Sequence, residues 1–191
     1  SESVWLTTQD FRTPAAFSLA EIGQLPQSLK SSPAFFDAST HLTEQLFATS
    51  KDGTRVPYFV VRPQKLRYDG TAPTLLDAYG GFEVSLLPYY SGPMGKAWLE
   101  KGGVYVLANI RGGGEYGPRW HQAALKANRP RAYEDLAAVA QDLVTRRITS
   151  VKHLGMQGAS NGGLLAGNML TQYPQLFGAI VVQVPLLDMK R

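Results

Sequence analysis

The sequence predicts an α/β fold in which a mostly parallel sheet is flanked by helices. From residue 73 onward, compact apolar runs of strand length alternate with runs of helical periodicity, and such alternation is typical of parallel strands joined by helices. One strand-like run also ends in a glycine-rich turn, residues 158–163, that opens a helix-like run. The composition agrees, because 191 residues with 44% hydrophobic and 18% charged side chains suit a globular domain with one good core.

The individual elements follow from local patterns. Residues 4–8 and 15–19 resemble two short strands, and the polar stretch 24–32 resembles a linker. Residues 42–49 and 56–61 are β-rich runs on either side of Asp52-Gly53, a strong hairpin signal. The further predicted strands are 74–78, 104–110, 152–157 and 178–184, and the predicted helices are 133–147, which follows Pro130, and 161–172.

The turn at Ser160 has the G-x-S-x-G pattern of the nucleophile elbow found in α/β-hydrolases. A nucleophilic serine must sit on a strained turn that exposes its hydroxyl, and small neighbours avoid clashes where strand and helix nearly touch. Ser160 is therefore the predicted nucleophile, and the backbone N–H of Asn161 is a predicted donor to the oxyanion. The alternative is a tight turn whose serine merely caps the helix.

A second turn follows the predicted strand 74–78. In an α/β-hydrolase this loop supplies one oxyanion donor, and the glycines of residues 79–82 would let the backbone approach a substrate. The hydroxyl of Tyr79 is a competent donor if it points inward. The alternative is that Tyr79 is a strand-end aromatic residue packed on the core.

A third glycine-rich segment, residues 112–117, formally satisfies the G-x-G-x-x-G pattern of dinucleotide-binding proteins. That fold also needs an acidic residue at the end of the next strand, whereas Glu134 and Asp135 lie in a predicted helix. Pro118 interrupts the expected helix entry. We therefore interpret the segment as a structural loop near the active-site face, ordered by an ion pair between Arg111 and Glu115.

Taken together and in order, the segments 79–82, 108–117 with Trp120-His121, and 158–163 resemble the prolyl oligopeptidase family of serine peptidases. The resemblance runs from about residue 34 to the end and implies a catalytic Ser160 with an oxyanion hole formed by the Tyr79 hydroxyl and the Asn161 N–H. It also implies that Phe82 and Leu186 line an apolar substrate pocket. Residues 1–33 resemble the last strands of the family's β-propeller and a linker, so 34–191 would be the first part of the hydrolase domain.

The catalytic acid and base are not evident. In α/β-hydrolases they follow the nucleophile in the order acid, then histidine, yet residues 161–191 contain no histidine. His41, His121 and His153 all precede Ser160 and are interpreted as packing or surface residues. Asp188 could be the acid of a permuted triad, although the family's acid comes from a later strand. We expect a fragment that is inactive alone, with acid and base beyond Arg191.

The resemblance leaves several functions open. Asn161 and Phe82 favour the prolyl branch over the related oligopeptidase B group. A dipeptidyl-peptidase-like enzyme, an esterase of the same fold and a non-catalytic structural or interaction module remain alternatives.

The expected partners are a peptide substrate and the rest of the same polypeptide. We expect no nucleic acid partner, because the net charge of +4 is scattered, and no membrane partner, because no apolar run approaches the length of a span. We expect no metal or cofactor. The sequence has no cysteine, which leaves the compartment open, with the cytoplasm favoured over the periplasm.

Overall fold

The computed structural model describes residues 2–190, which form two sheets and their flanking helices. The strands are β1 (Ser3–Thr8), β2 (Ala16–Glu21), β3 (Gln27–Ser31), β4 (His41–Thr49), β5 (Arg55–Pro63), β6 (Thr74–Ala78), β7 (Val104–Ala108), β8 (Leu154–Ala159) and β9 (Ala179–Gln183). The α-helices are α1 (Gly92–Ala97), α2 (Pro118–Gln122), α3 (Pro130–Thr145) and α4 (Asn161–Gln172), and short 3-10 turns cover Leu99–Lys101, Lys126–Asn128, Val151–His153 and Pro174–Leu176.

The larger sheet has six strands in the order β4-β5-β7-β6-β8-β9. The pairs β4–β5 and β5–β7 are antiparallel, and the pairs β7–β6, β6–β8 and β8–β9 are parallel. This mixed sheet with its helices is compatible with the α/β-hydrolase fold. Because β6, β8 and β9 are parallel neighbours, the segments that leave their carboxyl ends meet at one edge of the sheet, as ligand-binding loops do in open α/β sheets.

Helices α3 and α4 pack on one face of this sheet and build the main core. Their inward residues recur at helical spacing, and they contact alternate residues of the central strands. The fully buried members include Leu136, Val139, Leu143, Leu165 and Met169 from the helices and Leu76, Val106 and Met156 from the strands. Burying each side chain of this size contributes about 1.5–3 kcal/mol. A smaller cluster, with Phe11, Phe36, Leu99, Tyr105 and Leu107, covers the other face of the antiparallel half.

The first three strands form a separate antiparallel sheet in the order β1-β2-β3. The predicted linker over 24–32 is wrong in part, because residues 27–31 pair with β2 as a strand. All five residues of β3 are exposed, so backbone hydrogen bonding forms this strand without an apolar alternation that periodicity could detect. The assignment of residues 1–33 to a β-propeller, and the domain boundary after residue 33, stay predictions.

Element ends differ from the predicted ones by a few residues. Helix α3 begins at Pro130 rather than at residue 133, since a proline fits the first helical position, where its missing N–H is not needed. Strand β7 ends at Ala108, and β8 begins at Leu154. Across residues 2–190, none of the helices has the length and apolar character needed to cross a membrane.

A buried ion network orders the glycine-rich loop, and it differs from the Arg111–Glu115 pair that the sequence predicts. The guanidinium of Arg111 pairs with Asp135 at 2.7 Å and with Asp52 at 2.6 Å, and both Arg111 and Asp135 are almost fully buried. The predicted Arg111–Glu115 ion pair is therefore wrong: Arg111 turns toward α3 and the β4–β5 hairpin. The Glu115 carboxylate instead accepts hydrogen bonds from the backbone N–H of Leu86 and the side chain of Asn109.

Candidate active site

Ser160 occupies a one-residue turn between β8 and α4. Its backbone is left-handed, with φ of 59° and ψ of −115°, a conformation that costs a non-glycine residue about 1–3 kcal/mol. Its N–H donates to the carbonyl of Gln183 at 3.1 Å, and its own carbonyl accepts from the N–H of Leu164 at 3.0 Å. The hydroxyl makes no capping bond to α4, so the alternative of an ordinary capping serine does not describe this turn.

The glycines around Ser160 are sterically required. A Cβ atom on Gly158 would collide with the carbonyl group of Gly162, and one on Gly163 would lie 2.9 Å from the Cα of Pro185. These are contacts with backbone, which cannot move aside as a flexible side chain can. The close approach of β8, α4 and the segment after β9 therefore depends on glycine at these positions.

The turn after β6 lies directly against the start of α4. The side-chain amide of Asn161 donates to the carbonyl of Tyr79 at 2.8 Å. A Cβ atom on Gly162 would lie 3.7 Å from the Cδ2 atom of the Tyr79 ring, so this ring stands beside the first turn of the helix. Tyr79 is half-buried rather than a member of the core. The structure thus brings Tyr79 and Asn161 together next to Ser160.

Phe82 lies at the rim of an open pocket beside Asn161. Phe82 and Glu83 both have positive φ, 53° and 58°, and the ring of Phe82 is 69% exposed. The pocket has a volume of about 570 Å³, and its lining includes Phe82, Glu83, His121, Arg129 and Asn161. A second pocket of about 600 Å³, lined by residues such as Phe35, Tyr90 and Lys96, contains none of the predicted site residues.

Leu186 is less closely associated with this pocket. It is half-buried in the segment after β9, and among the described residues it does not belong to the lining that Phe82 and Asn161 share. Its neighbours nevertheless lie close to the helix, because Pro185 contacts Gly163 and Leu187 comes within 3.0 Å of a Cβ placed on Gly167. The predicted pairing of Phe82 with Leu186 stays a prediction.

A buried polar group joins the two strands that lead into the site. The carboxylate of Asp77, on β6, accepts hydrogen bonds from the Tyr105 hydroxyl at 3.2 Å and from the Gln157 amide at 3.1 Å. Gln157 lies on β8, directly opposite Asp77 in the parallel pairing. Burial raises the pKa of Asp77 because a low-dielectric environment disfavours the charged form. The network thus connects the strand preceding Tyr79 with the strand preceding Ser160.

His41 and His121 have hydrogen-bond partners other than Ser160. His41 is buried with its Nε2 atom 2.9 Å from the carbonyl of Leu99. The Nδ1 atom of His121 lies 2.7 Å from the carbonyl of Gly112 and 3.1 Å from the N–H of Glu83, and His153 precedes β8, at the end opposite to Ser160. Within residues 2–190, none of them hydrogen-bonds the Ser160 hydroxyl. A general base for this serine is therefore not assembled from the described residues.

The model of the prolyl oligopeptidase family matches residues 91–191, which is more than half of the chain and includes the elbow. The chain belongs to the prolyl oligopeptidase family. The resemblance drawn from the three sequence motifs is thereby confirmed.

Individual relatives align over most of the chain. A protein of Sinorhizobium fredii described as an uncharacterized peptidase is 52% identical over 191 residues, which cover 99% of this chain and 26% of that protein. The prolyl endopeptidase of Elizabethkingia meningoseptica is 40% identical over 156 residues, or 82% of this chain and 22% of that protein. The chain therefore spans about a quarter of the length of the curated relatives it matches.

Solved structures of the family superpose closely. A post-proline cleaving enzyme from Rickettsia typhi matches with a TM-score of 0.91 and 42% identity, covering 98% of this chain and 27% of that one. A prolyl endopeptidase structure matches with a TM-score of 0.93 and 40% identity over 98% of this chain and 28% of that one.

Sequence reasoning overlooked Arg129 in this prolyl oligopeptidase domain. Its Nη1 atom donates to the carbonyl of Gly80, the residue after Tyr79. Arg129 occupies the N-cap position of α3 without a side-chain capping bond, and a positive charge is unfavourable there because the helix dipole is positive at that end. Because the predicted helix begins at residue 133, nothing in the sequence indicated that Arg129 lies at a helix start.

Proposed function

We propose that the protein containing this chain is a serine peptidase of the prolyl oligopeptidase type, with Ser160 as its nucleophile. The observation that supports this most directly is the left-handed Ser160, whose hydroxyl is not used for capping, beside the Tyr79 turn held by Asn161. Relatives named as prolyl endopeptidases support the same assignment.

In the proposed reaction the Ser160 Oγ attacks the scissile carbonyl carbon while a histidine takes its proton. The carbonyl oxygen becomes an oxyanion that accepts hydrogen bonds from the Tyr79 hydroxyl and the Asn161 N–H. The tetrahedral intermediate collapses to an acyl-enzyme as the histidine protonates the leaving amine, and water then hydrolyses the ester in the same way. Asn161 suits its role because the first N–H groups of a helix lack intrahelical acceptors and favour negative charge.

The base and acid are proposed to come from another part of the same polypeptide, since none of the described histidines hydrogen-bonds the Ser160 hydroxyl. The 191 residues alone are then inactive. Phe82 and Leu186 are proposed to line an apolar pocket for the residue before the cut, with proline preferred as the relatives' names suggest. Residues 1–33 are proposed to end a β-propeller that precedes the hydrolase domain, and the substrates are short peptides.

The assignment is tested in the full-length protein with a fluorophosphonate probe, which should label Ser160 and fail to label Ser160→Ala. Peptide amides cut after proline, peptides cut after arginine and p-nitrophenyl esters then separate the prolyl, oligopeptidase B-like and esterase functions. Tyr79→Phe should lower kcat about a hundredfold, since one oxyanion donor contributes about 3 kcal/mol. Absence of labelling would favour a non-catalytic module, and unchanged kcat in Tyr79→Phe would remove Tyr79 from the oxyanion hole.

A further inference from the structure

Two successive carbonyl groups of the turn after β6 are each held by a side chain from a different element. Asn161, at the start of α4, donates to the carbonyl of Tyr79 at 2.8 Å. Arg129, at the start of α3, donates through Nη1 to the carbonyl of Gly80. Gly80 has φ of 63°, a backbone conformation that favours glycine. The orientation of Tyr79 is thus fixed from both helices.

The setting of Arg129 does not match that of an ordinary surface cation. Its guanidinium carbon lies 5.5 Å from the centre of the Tyr133 ring. Its Nη2 atom is buried and has no hydrogen-bond partner among residues 2–190, and no carboxylate of those residues lies within 4.0 Å of its charge. Its hydrogen bond to Gly80 is charge-assisted, and such bonds are roughly twice as strong as neutral ones.

The glycine-rich loop leaves room for this hydrogen bond. Gly112 has φ of 100°, and a Cβ atom placed on it would lie 2.8 Å from Arg129 Nη1 and would also collide with the carbonyl of Gly80. The same loop residue accepts at its carbonyl from the N–H of Glu83, at 3.3 Å. The turn, the loop and Arg129 therefore pack as one unit, with the guanidinium between the turn and α3.

We infer that Arg129 is a positioning residue for the oxyanion hole, because it fixes the Gly80 carbonyl and thereby the direction in which Tyr79 presents its hydroxyl. This inference rests on the proposed function of Tyr79. Arg129 does not contact the substrate in this role and acts through Tyr79. A shift of about 1 Å in a catalytic group can cost about a hundredfold in rate, so loss of one anchor has a measurable effect.

The test uses the full-length enzyme with Arg129→Met, Arg129→Lys and the control Arg131→Met. Arg131 also donates to a backbone carbonyl, that of Ala123 at 3.1 Å, but this carbonyl is outside the turn. Arg129→Met should lower kcat about 10- to 50-fold with KM changed less than about twofold, as expected for an interaction that serves the transition state. Arg129→Lys should recover part of kcat, since lysine keeps the charge and a donor without the planar fork. Arg131→Met should stay within about twofold of wild type.

A double-mutant cycle separates positioning through Tyr79 from a general structural role. In a Tyr79→Phe background there is no hydroxyl to position, so adding Arg129→Met should lower kcat by less than about threefold. A fully multiplicative effect, or a rise in KM at constant kcat, would overturn the inference while leaving the role of Tyr79 intact. If Arg129→Met does not fold, the same double-mutant cycle is measured with Arg129→Lys and Tyr79→Phe, and the same outcomes support or overturn the inference. If Tyr79→Phe alone has wild-type kcat, the proposed oxyanion role fails, and this inference fails with it.

Discussion

Asp135→Asn should destabilise the protein far more than Glu134→Gln, although the two residues are neighbours in α3. The side chain of Asp135 has no exposed surface, and its carboxylate accepts from the Arg111 guanidinium at 2.7 and 2.9 Å and from the Arg111 N–H at 3.0 Å. Glu134 lies 3.6 Å from Lys51, whose side chain is 80% exposed. The substitutions remove one negative charge each, from a buried pair and from a pair whose lysine is largely exposed.

The magnitudes follow from burial. Breaking a buried ion pair by removing one partner costs about 3–5 kcal/mol, because the other charge is left buried and uncompensated. Asp52 still pairs with Arg111 at 2.6 Å, and asparagine keeps one acceptor oxygen, so the loss should fall at or below the lower end, about 2–3 kcal/mol. An exposed pair contributes about 0–1 kcal/mol, so Glu134→Gln should be close to neutral.

Urea unfolding of the two variants and the wild type, followed by circular dichroism, measures the difference. The Asp135→Asn midpoint should move to lower urea while the Glu134→Gln midpoint barely changes. Added salt should abolish the small Glu134 effect and leave the Asp135 effect, since buried pairs are screened little. Equal midpoints for the two variants would show that the Arg111 network does not stabilise the glycine-rich loop, and the reasoning from burial would be refuted.

Two further predictions concern the strands that lead into the site. Gly158→Ala should cost about 1–3 kcal/mol and weaken fluorophosphonate labelling of Ser160, because its Cβ would collide with Gly162, whereas Gly155→Ala in the same strand meets no atom closer than 3.7 Å and should cost less than about 1 kcal/mol. Comparable losses in thermal stability for both variants would contradict this. Burial raises the pKa of Asp77 above its usual 3.8, so the stability contributed by its protonated form is fully present below about pH 4 and declines as pH rises through the folded-state pKa. Asp77→Asn cannot ionise, so its stability relative to wild type should rise from about pH 4 to pH 7 in urea unfolding, and a pH-independent difference would be inconsistent with a raised pKa.

The elements predicted most accurately are those whose ends are marked in the sequence by a proline or a glycine-rich turn. The predicted strand 74–78 and helix 161–172 coincide with β6 and α4, because Pro73 and the glycine turn delimit the first and the elbow begins the second. Strand β3 was missed because Leu29 is its only apolar residue and all five of its residues are exposed, and it exists through pairing with β2. Backbone pairing of this kind leaves no trace in side-chain periodicity.

The order of the strands in the sheet could not be predicted from the sequence. Periodicity indicates that strands and helices alternate, but it does not say that β6 inserts between β7 and β8. That order depends on how each crossover packs across the sheet, which is decided by contacts between distant residues. The parallel character of the central strands could be predicted, and their neighbours could not.

In the candidate active site, too, local features could be predicted from the sequence and contacts between distant residues could not. Ser160, Asn161 and Tyr79 could be singled out from the sequence because each follows a strand end marked by glycine, and their catalytic roles stay predictions. The supporting contacts were missed, since Arg129 reaches Gly80 across 49 positions and Arg111 reaches Asp135 across 24. The expected Arg111–Glu115 pair failed for this reason: proximity in sequence favoured Glu115, whereas the fold supplies a buried carboxylate from α3.

The strain at Ser160 explains why the site needs partners on both sides of the elbow. A left-handed serine costs about 1–3 kcal/mol, and that conformation persists only when the surrounding structure fixes it. Two backbone hydrogen bonds do so here: the Ser160 N–H is held by Gln183 at the end of β9, and the Ser160 carbonyl is held by Leu164 within α4. The burial of Leu165 and Met169 in turn fixes α4 against the sheet. The strained backbone of Ser160 thus depends on the β8–β9 pairing and on the core under α4, and a change that loosens either should relax the elbow before it unfolds the sheet.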